Sequence, residues 1–468
     1  MLIKISNVIS VENPPEELRE YCRHHLVLPN PDYAKKLRMH FWLGNTPPHL
    51  YLYETRGDTL ILPYGTLRDV LEICHKRGLD SSSISMDFPT ANPVDYNCEV
   101  PLYDYQQAAV DEMFWKRYGI LCSPAGSGKT QMAIQLIAKH GKRALFLTHT
   151  RDLLTQAKQR AEQYMDPSLL GTITEGKVNI GSGITFATVQ TMCNLDLTQY
   201  KDMWDVIIVD ECHRVAGTPT AVSQFSKVLN SLAARYKYGL SATVHRSDGL
   251  IQSTFALLGQ VVYTVPTEAV ADKIMQVGIY PVPTGIGISR ACLNTDGTLN
   301  YAKLINYLCE SYPRNALIRD YLIEERHKPS LILSDRLSHL EELMKMPPVE
   351  MRENAVMVSG KMTTKKGKAE REQAIADMRS GAKKYLFATY SLAKEGLDIP
   401  CLERLYMATP QKDYAVITQA IGRIARTHPG KRDPICYDFV DDIQYLAKAY
   451  KKRCTTYRKN GCYFVEVS

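Results

Sequence analysis

Short apolar runs alternate along the chain with segments of helical spacing. Residues 119–122, 204–209, 330–334 and 385–389 are mainly apolar and have the length of buried strands. Helical patterns follow them, for example at residues 132–137. Strands that alternate with helices form parallel sheets with right-handed connections. The pattern therefore predicts an α/β fold in which two parallel sheets follow one another along the chain.

The N-terminal region has a different pattern. Residues 50–54 and 59–63 alternate apolar and polar positions, and the polar residues 55–58 between them predict a β-hairpin. Residues 67–74 have helical spacing. We therefore predict that residues 1–97 form a small α+β accessory domain.

Several aromatic residues in this accessory region have two interpretations. They could stack on nucleic-acid bases, or they could fill the core of the small domain, which we expect for most of them. These residues are Tyr33, Phe41, Trp42, Tyr51 and Tyr53.

A glycine-rich segment lies between the predicted strand at residues 119–122 and the helical pattern at 132–137. It reads Ser123-Pro124-Ala125-Gly126-Ser127-Gly128-Lys129-Thr130. In this setting glycines allow backbone N–H groups to surround phosphate oxygens, the lysine reaches the β and γ phosphates, and the threonine hydroxyl can bind Mg²⁺. A Gly/Ser turn with an incidental lysine is the alternative. We predict an ATP-binding phosphate loop.

A pair of carboxylates follows the predicted strand at residues 204–209, in the segment Asp210-Glu211-Cys212-His213. Carboxylates at the carboxyl end of a parallel strand lie where open α/β sheets bind ligands. Asp210 would hold Mg²⁺ and Glu211 would orient and deprotonate the attacking water. The alternative is that both residues only cap the next helix.

Two arginines near the C-terminus lie three positions apart, in the segment Gln419-Ala420-Ile421-Gly422-Arg423-Ile424-Ala425-Arg426. On one predicted helix they would share a face and could stabilise charge on a transferring phosphoryl group. A solvated basic helix face is the ordinary alternative. Gln419 and Gly422 favour the catalytic interpretation, because they fit the same motif in the right order.

Together these motifs resemble those of superfamily 2 helicases and translocases of the DEAH-like kind. The matching segments extend from about Leu102 to about Arg426. The resemblance implies two tandem RecA-like domains with parallel sheets, one ATP with Mg²⁺ between them, and catalytic roles for Lys129, His213 and Gln419. The sequence also resembles phage branch-migration helicases of the UvsW type. That resemblance implies that the accessory domain at residues 1–97 binds DNA, and the group implies tracking in the 3′ to 5′ direction.

The same resemblance assigns further residues. Gln106 would contact the adenine, and Gly396 and Asp398 would approach the nucleotide. Ser241 and Thr243 would couple hydrolysis to domain movement. The residues expected to contact nucleic acid are Thr148, Arg151, Thr188, Gln190, Ser334 and Thr389.

Motif positions and composition suggest the domain limits. We predict the first RecA-like domain at residues 98–265, a linker or insertion with its own strand pair at 266–312, the second RecA-like domain at 313–440 and a basic tail at 441–468. Lysines and arginines crowd this tail, and they cluster again near residues 361–368. Such runs are either phosphate contacts or solvated helix faces.

Composition limits the class of protein. The 468 residues are 45% hydrophobic, as in ordinary globular proteins, and a net charge of +7 permits nucleic-acid binding without requiring it. The twelve cysteines contain no Cys-x-x-Cys pair, so neither a zinc site nor a disulfide framework is expected. We find no signal peptide and no apolar run that would span a bilayer, so we expect a cytoplasmic location and no membrane partner.

The sequence and its resemblance therefore predict an ATP-dependent DNA helicase that unwinds or branch-migrates forked and Holliday-type DNA. An RNA helicase is the nearest alternative, because the ATP-binding domains of the two classes are alike. A duplex-DNA translocase that does not separate strands is the second alternative.

Overall fold

The structure is a computed structural model of the chain. It describes residues 1–465 except 79, 90–92, 125, 243–249, 267, 271–273, 361, 363, 395–396 and 398. The chain divides into two compact units. The first comprises Met1–Pro124 and Gly128–Pro266, and the second comprises Thr267–Ser468 with Ala125–Ser127.

The first unit begins with a small α+β region. Its mixed five-stranded sheet has the order β5-β6-β2-β1-β7, and β3 pairs separately with β4. The strands are β1 (Leu2–Ile5), β2 (Val8–Glu12), β3 (Val27–Pro29), β4 (His49–Tyr51), β5 (Glu54–Arg56), β6 (Thr59–Pro63) and β7 (Ile84–Met86). The helices are α1 (Glu16–His25), α2 (Pro31–Arg38) and α3 (Leu67–His75).

The rest of the first unit is built on an eight-stranded sheet of order β11-β10-β12-β9-β13-β14-β8-β15. All pairs are parallel except β10 with β11. The strands are β8 (Tyr118–Cys122), β9 (Ala144–Thr148), β10 (Leu170–Thr174), β11 (Lys177–Asn179), β12 (Ile184–Thr188), β13 (Val206–Val209), β14 (Tyr236–Ser241) and β15 (Val261–Thr264). The helices are α4 (Asp104–Lys116), α5 (Lys129–His140), α6 (Arg151–Ala161), α7 (Val189–Cys193), α8 (Pro219–Ser231) and α9 (Ile251–Leu258).

The second unit contains a parallel seven-stranded sheet of order β18-β19-β17-β20-β21-β16-β22. The strands are β16 (Gly278–Pro283), β17 (Ser330–Ser334), β18 (Ala355–Val358), β19 (Tyr385–Thr389), β20 (Arg404–Met407), β21 (Ile435–Val440) and β22 (Tyr463–Phe464). The helices are α10 (Tyr301–Glu310), α11 (Tyr312–Glu324), α12 (Leu337–Lys345), α13 (Val349–Glu353), α14 (Lys365–Ser380), α15 (Tyr390–Lys394), α16 (Tyr414–Ile424) and α17 (Gln444–Lys459). The predicted α/β fold with parallel sheets is confirmed.

Local sequence explains where several helices begin and end. The side chains of Thr150 and Thr218 accept hydrogen bonds from backbone N–H groups in the first turns of α6 and α8, and Asp413 does the same for α16. Gly141 ends α5 in a left-handed conformation.

The α+β region and the first parallel sheet share one hydrophobic core. Ile9 and Val11 of β2 belong to the same buried cluster as Val222 of α8 and Ala256 of α9. Because apolar side chains of both regions are buried in this one cluster, the α+β region is an integral part of the first unit.

The predicted hairpin is displaced along the chain. Residues 50–51 lie in β4, which pairs with β3, whereas β5 begins at Glu54 and pairs with β6. The turn is only two residues long, and Gly57 supplies the positive φ of 59° that such a turn needs.

The segment predicted as a linker with its own strand pair contributes to the second sheet instead. β16 lies between β21 and β22 in this sheet. Ile279 and Val282 are buried, which explains why the strand is included. β22 pairs only with Gly278 and Ile279, so the prolines at 281 and 283 fall where no N–H donor is needed on that side.

The predicted basic tail is folded into the second unit. Residues 444–459 form α17, and β22 follows it at the sheet edge. Arg453 is buried and donates from Nε to Asp438 Oδ2 at 2.8 Å. This arginine therefore has a structural role and is not available to a phosphate.

Candidate active site

The glycine-rich loop connects β8 to α5. Gly126 and Gly128 have φ values of 84° and 83°, which side chains other than glycine rarely adopt. A Cβ atom on Gly128 would lie 2.3 Å from Gln106 Nε2, so the Gln106 amide would have to move away from the loop. The loop thus leads directly into the N-terminus of α5, where N–H groups favour anions. Ala125 lies outside the described residues.

Lys129 is the first residue of α5 and its side chain turns back over the loop. Its Nζ donates to the carbonyl oxygens of Ser123 at 3.3 Å and Pro124 at 3.4 Å. Thr130, the next residue of the helix, is half-buried. An ammonium group and a hydroxyl at a helix N-terminus fit a bound phosphate with its metal ion.

Gln106 lies in the first turn of α4 and is buried. Its Oε1 accepts a hydrogen bond from the backbone N–H of Tyr103 at 2.9 Å. The tight approach of Nε2 to Gly128 places the amide beside the phosphate loop. The structure thus brings Gln106 to the same site as Lys129.

Asp210 and Glu211 follow β13. Asp210 is buried, its N–H donates to Leu147 O, and its Oδ1 accepts from the N–H of Glu211 at 2.9 Å. Burial, and next the charge of Glu211, raise the pKa of Asp210 to about 7, while Lys129 acts in the opposite direction. Burial of one carboxyl group beside a second one disfavours the charged form of Asp210, as is common at functional sites. A bound divalent cation would favour the ionised form again.

His213 connects the carboxylate segment to the end of β14. Its Nδ1 lies 3.0 Å from Ser241 Oγ and 3.3 Å from Glu211 Oε2. Both His213 and Ser241 are buried. Movement of Glu211 can therefore be transmitted to Ser241 through one imidazole ring. Thr243, the other predicted coupling residue, lies outside the described residues.

His149 lies close enough to Glu211, His213 and Arg214 to interact with their charges, and sequence reasoning did not assign it to the site. Burial lowers the pKa of its imidazole to about 3, with Arg214 and His213 next in effect. Neither ring nitrogen has a hydrogen-bond partner among the described residues. Sequence reasoning could not single out this histidine, because a histidine after a strand can point either way from the sheet.

The predicted nucleic-acid contacts of the first unit meet at one edge of the sheet. Thr148 and Thr188 end β9 and β12 and are paired in register. Both are buried, and their hydroxyls hydrogen-bond to Thr150 O and Thr191 Oγ1 at 2.9 Å. These two hydroxyls face the protein, because the strand ends are covered by the turns that follow, and the contact of Thr148 and Thr188 with nucleic acid stays a prediction.

Arg151 and Gln190 are exposed at the same edge. Arg151 pairs with Glu175 at 2.9 Å, and Gln190 Nε2 donates to His149 O at 3.0 Å. An exposed ion pair contributes little to stability and exchanges readily with a phosphate. These two side chains remain candidates for backbone contact.

In the second unit, Ser334 and Thr389 end β17 and β19 and are paired in register. Ser334 is buried, and its Oγ lies 3.0 Å from His339 Nδ1, so its predicted contact with nucleic acid is not available to the hydroxyl. Thr389 is half-buried, with its Oγ1 2.9 Å from Ser391 Oγ. Thr389 remains a candidate.

Gln419 and Arg423 lie on α16. Gln419 is buried, and its Oε1 has no hydrogen-bond partner within the described part of the chain. Arg423 donates from Nη1 to Leu397 O at 3.1 Å. Gly396 and Asp398, on either side of Leu397, lie outside the described residues.

The prediction that Arg423 and Arg426 share one helix was wrong. α16 ends at Ile424, and Arg426 forms an antiparallel bridge with Ile274. The N–H of Met275 donates to Ala425 O at 2.7 Å, which stops the helix by occupying a carbonyl near its end. The two arginines are therefore held by different backbone structures.

Among the described residues, no group of three or more His, Cys, Asp or Glu side chains could hold a metal ion. A search of the same residues finds no helix with the length and apolar character needed to cross a membrane.

Comparison with protein families gives two matches. Residues 99–246 match the family described as "Type III restriction enzyme, res subunit", and residues 313–428 match "Helicase conserved C-terminal domain". The first match contains the phosphate loop and the carboxylate pair, and the second contains Gln419, Arg423 and Arg426. Residues 1–98 lie outside both matches.

Three related proteins illustrate the range of similarity. The chain is 28% identical to "Putative ATP-dependent RNA helicase L396" of Acanthamoeba polyphaga mimivirus, over 73% of the chain and 64% of that protein. It is 26% identical to "Probable helicase D10" of Escherichia phage T5, over 73% and 72%. It is 30% identical to "DNA 3'-5' translocase XPB2" of Sulfurisphaera tokodaii, over 37% and 38%.

Two solved structures are similar to this one. The chain matches S. cerevisiae Dbp5 bound to RNA and ADP BeF3 with a TM-score of 0.54 and 19% identity, over 78% of this chain and 90% of that one. It matches T4 UvsW with a TM-score of 0.42 and 18% identity, over 99% of both chains. The likeness to Dbp5 shows the fold, and the predicted pair of RecA-like domains is confirmed.

Proposed function

We propose that this chain is a superfamily 2 helicase that hydrolyses ATP and acts on DNA. In this proposal the chain moves along one strand in the 3′ to 5′ direction. It unwinds or branch-migrates forked and four-way DNA during replication, recombination or repair.

The residues around the phosphate loop fit ATP with Mg²⁺. We assign phosphate binding to Gly126–Thr130, adenine contact to Gln106, and the metal to Thr130 and Asp210. The metal would supply charge neutralisation to the phosphates when bound. Because the described residues offer no three-ligand cluster, its remaining ligands would come from phosphate and water.

Glu211 is assigned as the group that orients and deprotonates the attacking water. We assign stabilisation of the transition-state charge to Arg423 and Arg426, and Gln419 to the positioning of the reacting groups. The buried Gln419 Oε1 supports this, because it has no partner among the described residues and such an atom is retained at a cost in stability.

The main support for a motor function is the contact of His213 with both Ser241 and Glu211. A hydrolase that only cleaved ATP would not need the end of β14 connected to its general base. We propose that His213 and Ser241, with Thr243, convert the state of the nucleotide into movement.

A DNA substrate is supported by one of the relatives. XPB2, whose name describes a DNA translocase, shares 30% identity with this chain over 177 residues. The candidate contacts Arg151, Gln190 and Thr389 would bind backbone phosphates, which DNA and RNA have in common. RNA is the second candidate, because the names of L396 and the Dbp5 structure refer to RNA.

The test is a panel of ATPase and unwinding measurements on single-stranded, forked and four-way DNA, with single-stranded RNA alongside. We expect forked DNA to stimulate turnover and to be unwound, and RNA to have no effect. Stimulation by RNA alone would overturn the DNA assignment. Displacement of a third strand from a triplex without fork unwinding would instead identify a duplex translocase.

Lys129→Ala is the variant that links these activities to the proposed site. It should abolish turnover on every DNA, because the phosphates lose their cationic partner. Substantial DNA-stimulated turnover in this variant would contradict the assigned role of Lys129. Lys139→Ala, which changes a lysine at the other end of α5, is the matched control and should retain activity.

A further inference from the structure

The segment from residue 35 to residue 51, here called the basic aromatic segment, exposes an unusual number of large apolar side chains. α2, which begins it, has no buried residue. Trp42 is 89% exposed and Phe41 is 59% exposed. Folding normally hides such side chains, and a cluster of them on the surface marks an interaction site. The other exposed members are Leu37, Met39 and Tyr51.

This exposure contradicts the expectation that most aromatic residues of the region fill its core. The core of the small sheet is completed by aliphatic residues such as Ile9, Val11 and Leu62. Phe41, Trp42 and Tyr51 are therefore not needed to fill the core, and the faces of their aromatic rings are exposed at the surface.

The charge of the segment is one-sided. No Asp or Glu occurs between Asp32 and Glu54, whereas Lys35, Lys36 and Arg38 lie within this interval together with two histidines. A surface that combines positive charge with aromatic rings is complementary to a polyanion whose monomers also have π faces.

The backbone that presents Trp42 is well anchored. Asn30 is buried, its N–H donates to Pro48 O at 2.9 Å, and its Nδ2 donates to Pro47 O at 2.8 Å. Lys36 Nζ donates to Thr46 Oγ1 at 2.7 Å, which ties α2 to the loop after it. A surface held in this way loses little entropy on binding.

Gly44 sets the position of the indole. A Cβ atom on Gly44 would lie 3.0 to 3.3 Å from three atoms of the six-membered ring of Trp42, so the ring lies against this glycine. The indole is thus supported from the protein side while most of its surface remains in solvent.

We propose that the basic aromatic segment is a binding site for single-stranded nucleic acid, in which Trp42 stacks on an unpaired base while Lys35 and Arg38 contact phosphates. The proposal rests on the proposed function to the extent that the substrate is a nucleic acid. Base faces in a duplex are already stacked, and a side chain reaches them only by unstacking a step. Where a helicase separates two strands, the unpaired bases have exposed faces. The basic aromatic segment would therefore bind one of the separated strands.

Tryptophan emission provides a direct test, because an indole that stacks on a base is quenched. The chain has three tryptophans: Trp42, Trp204, which is buried, and Trp115 on α4, which is 77% exposed. In a Trp115→Phe background, a short oligothymidine should quench the exposed emission, and the added Trp42→Phe change should remove this response. Quenching that persists without Trp42 would overturn the proposal.

Affinity is the second readout, measured with the full chain, a fluorescein-labelled oligothymidine and no nucleotide. Trp42→Ala should weaken binding about five- to hundredfold, the range found for loss of one base-stacking side chain. Trp115→Ala is the matched control and should leave the affinity unchanged. Equal affinity of the Trp42→Ala variant and the parent chain would overturn the proposal.

Two further arms separate the alternatives. If Trp42→Ala weakens binding to vesicles of anionic phospholipid and leaves oligothymidine binding unchanged, the segment is a membrane-surface site and the proposal is wrong. Lys129→Ala should lose ATP turnover and keep the Trp42-dependent quenching. Failure of DNA-stimulated turnover in the parent chain with quenching intact would refute the proposed motor function alone.

Discussion

His213 Nδ1 lies 3.0 Å from Ser241 Oγ, and this contact joins the carboxylate segment to the last residue of β14. Both side chains are buried, so water does not compete for the bond. The same imidazole nitrogen lies 3.3 Å from Glu211 Oε2. Ser241 is therefore one residue removed from the group assigned to water activation.

The first prediction concerns Ser241→Ala. Removal of the hydroxyl breaks the link from His213 to β14 but leaves Lys129, Asp210 and Glu211 in place. We expect ATP turnover to change little and the unwinding rate per ATP to fall about 5- to 150-fold, the range of typical coupling free energies. ATPase and strand-displacement rates measured on one forked DNA test this. Equal losses in both rates would show a role in hydrolysis rather than in coupling.

Ser253→Ala is the matched control for this experiment. Ser253 is also a buried serine of the first unit, and its Oγ donates to Leu250 O at 2.7 Å. Loss of the Ser253 hydroxyl should lower the stability of the chain modestly and leave the ratio of unwinding rate to hydrolysis rate unchanged.

The sequence was sufficient for features that local physics determines. β17 and β19 occur at the predicted residues 330–334 and 385–389, because a short apolar run between polar segments is typical of a strand that is buried on both faces of a parallel sheet. The phosphate loop is likewise local, since its glycines, lysine and helix start are consecutive.

Features that depend on distant residues could not be predicted in the same way. α16 ends at Ile424 because a strand-like segment at residues 274–275 bonds beside Ala425 and Arg426. The inward direction of His149 and the exposure of Trp42 also depend on tertiary packing. Composition alone assigned such aromatic residues to the core, because it cannot show when aliphatic residues have already filled it.

The second prediction concerns Asp210→Asn. The pKa of Asp210 is raised to about 7 by burial and by Glu211, so between its ordinary value of 3.8 and about 7 the folded state retains a proton that the unfolded state releases. The parent chain should therefore lose stability as pH rises through this window. Each unit by which the pKa is raised corresponds to about 1.4 kcal/mol.

In Asp210→Asn this pH dependence should disappear, and the variant should be more stable than the parent near pH 8, with little difference near pH 4. Thermal unfolding in EDTA at the two pH values measures it. Hydrolysis should be lost at the same time. A variant that is no more stable than its parent near pH 8 would contradict the raised pKa.

The third prediction concerns Lys237, a buried cation on β14. Its Nζ donates to Asn7 O at 3.2 Å and Leu229 O at 2.8 Å and lies 5.0 Å from the centre of the Tyr64 ring. Burial lowers the pKa of this amine from 10.5 to about 7, despite these favourable contacts. Between about 7 and 10.5 the unfolded state therefore binds a proton that the folded state has released.

Lys237 should therefore make a contribution to the free energy of unfolding of the parent chain that increases with pH from about 7 to 10.5. Lys237→Met should remove this contribution. Thermal unfolding across this range tests the difference in slope. Lys227→Met is the control, because Lys227 also donates to a backbone carbonyl, that of Cys193, but is exposed. A parent and Lys237→Met variant with parallel pH profiles would refute the prediction.

The fourth prediction concerns Gly65, where the accessory sheet meets α9. A Cβ atom on this residue would lie 2.4 Å from Gly259 N and 2.5 Å from Phe255 O, and neither backbone atom can move without disturbing the shared core. Gly65→Ala should therefore destabilise the first unit by about 1–3 kcal/mol or more, the usual cost of overpacking. Gly287→Ala in the second unit is the control, because its added Cβ would have only Asp442 O within 4.0 Å. Urea unfolding of both variants measures the difference in free energy of unfolding. Equal stabilities of the two variants would mean that the sheet of the α+β region can separate from the first parallel sheet without a loss of stability.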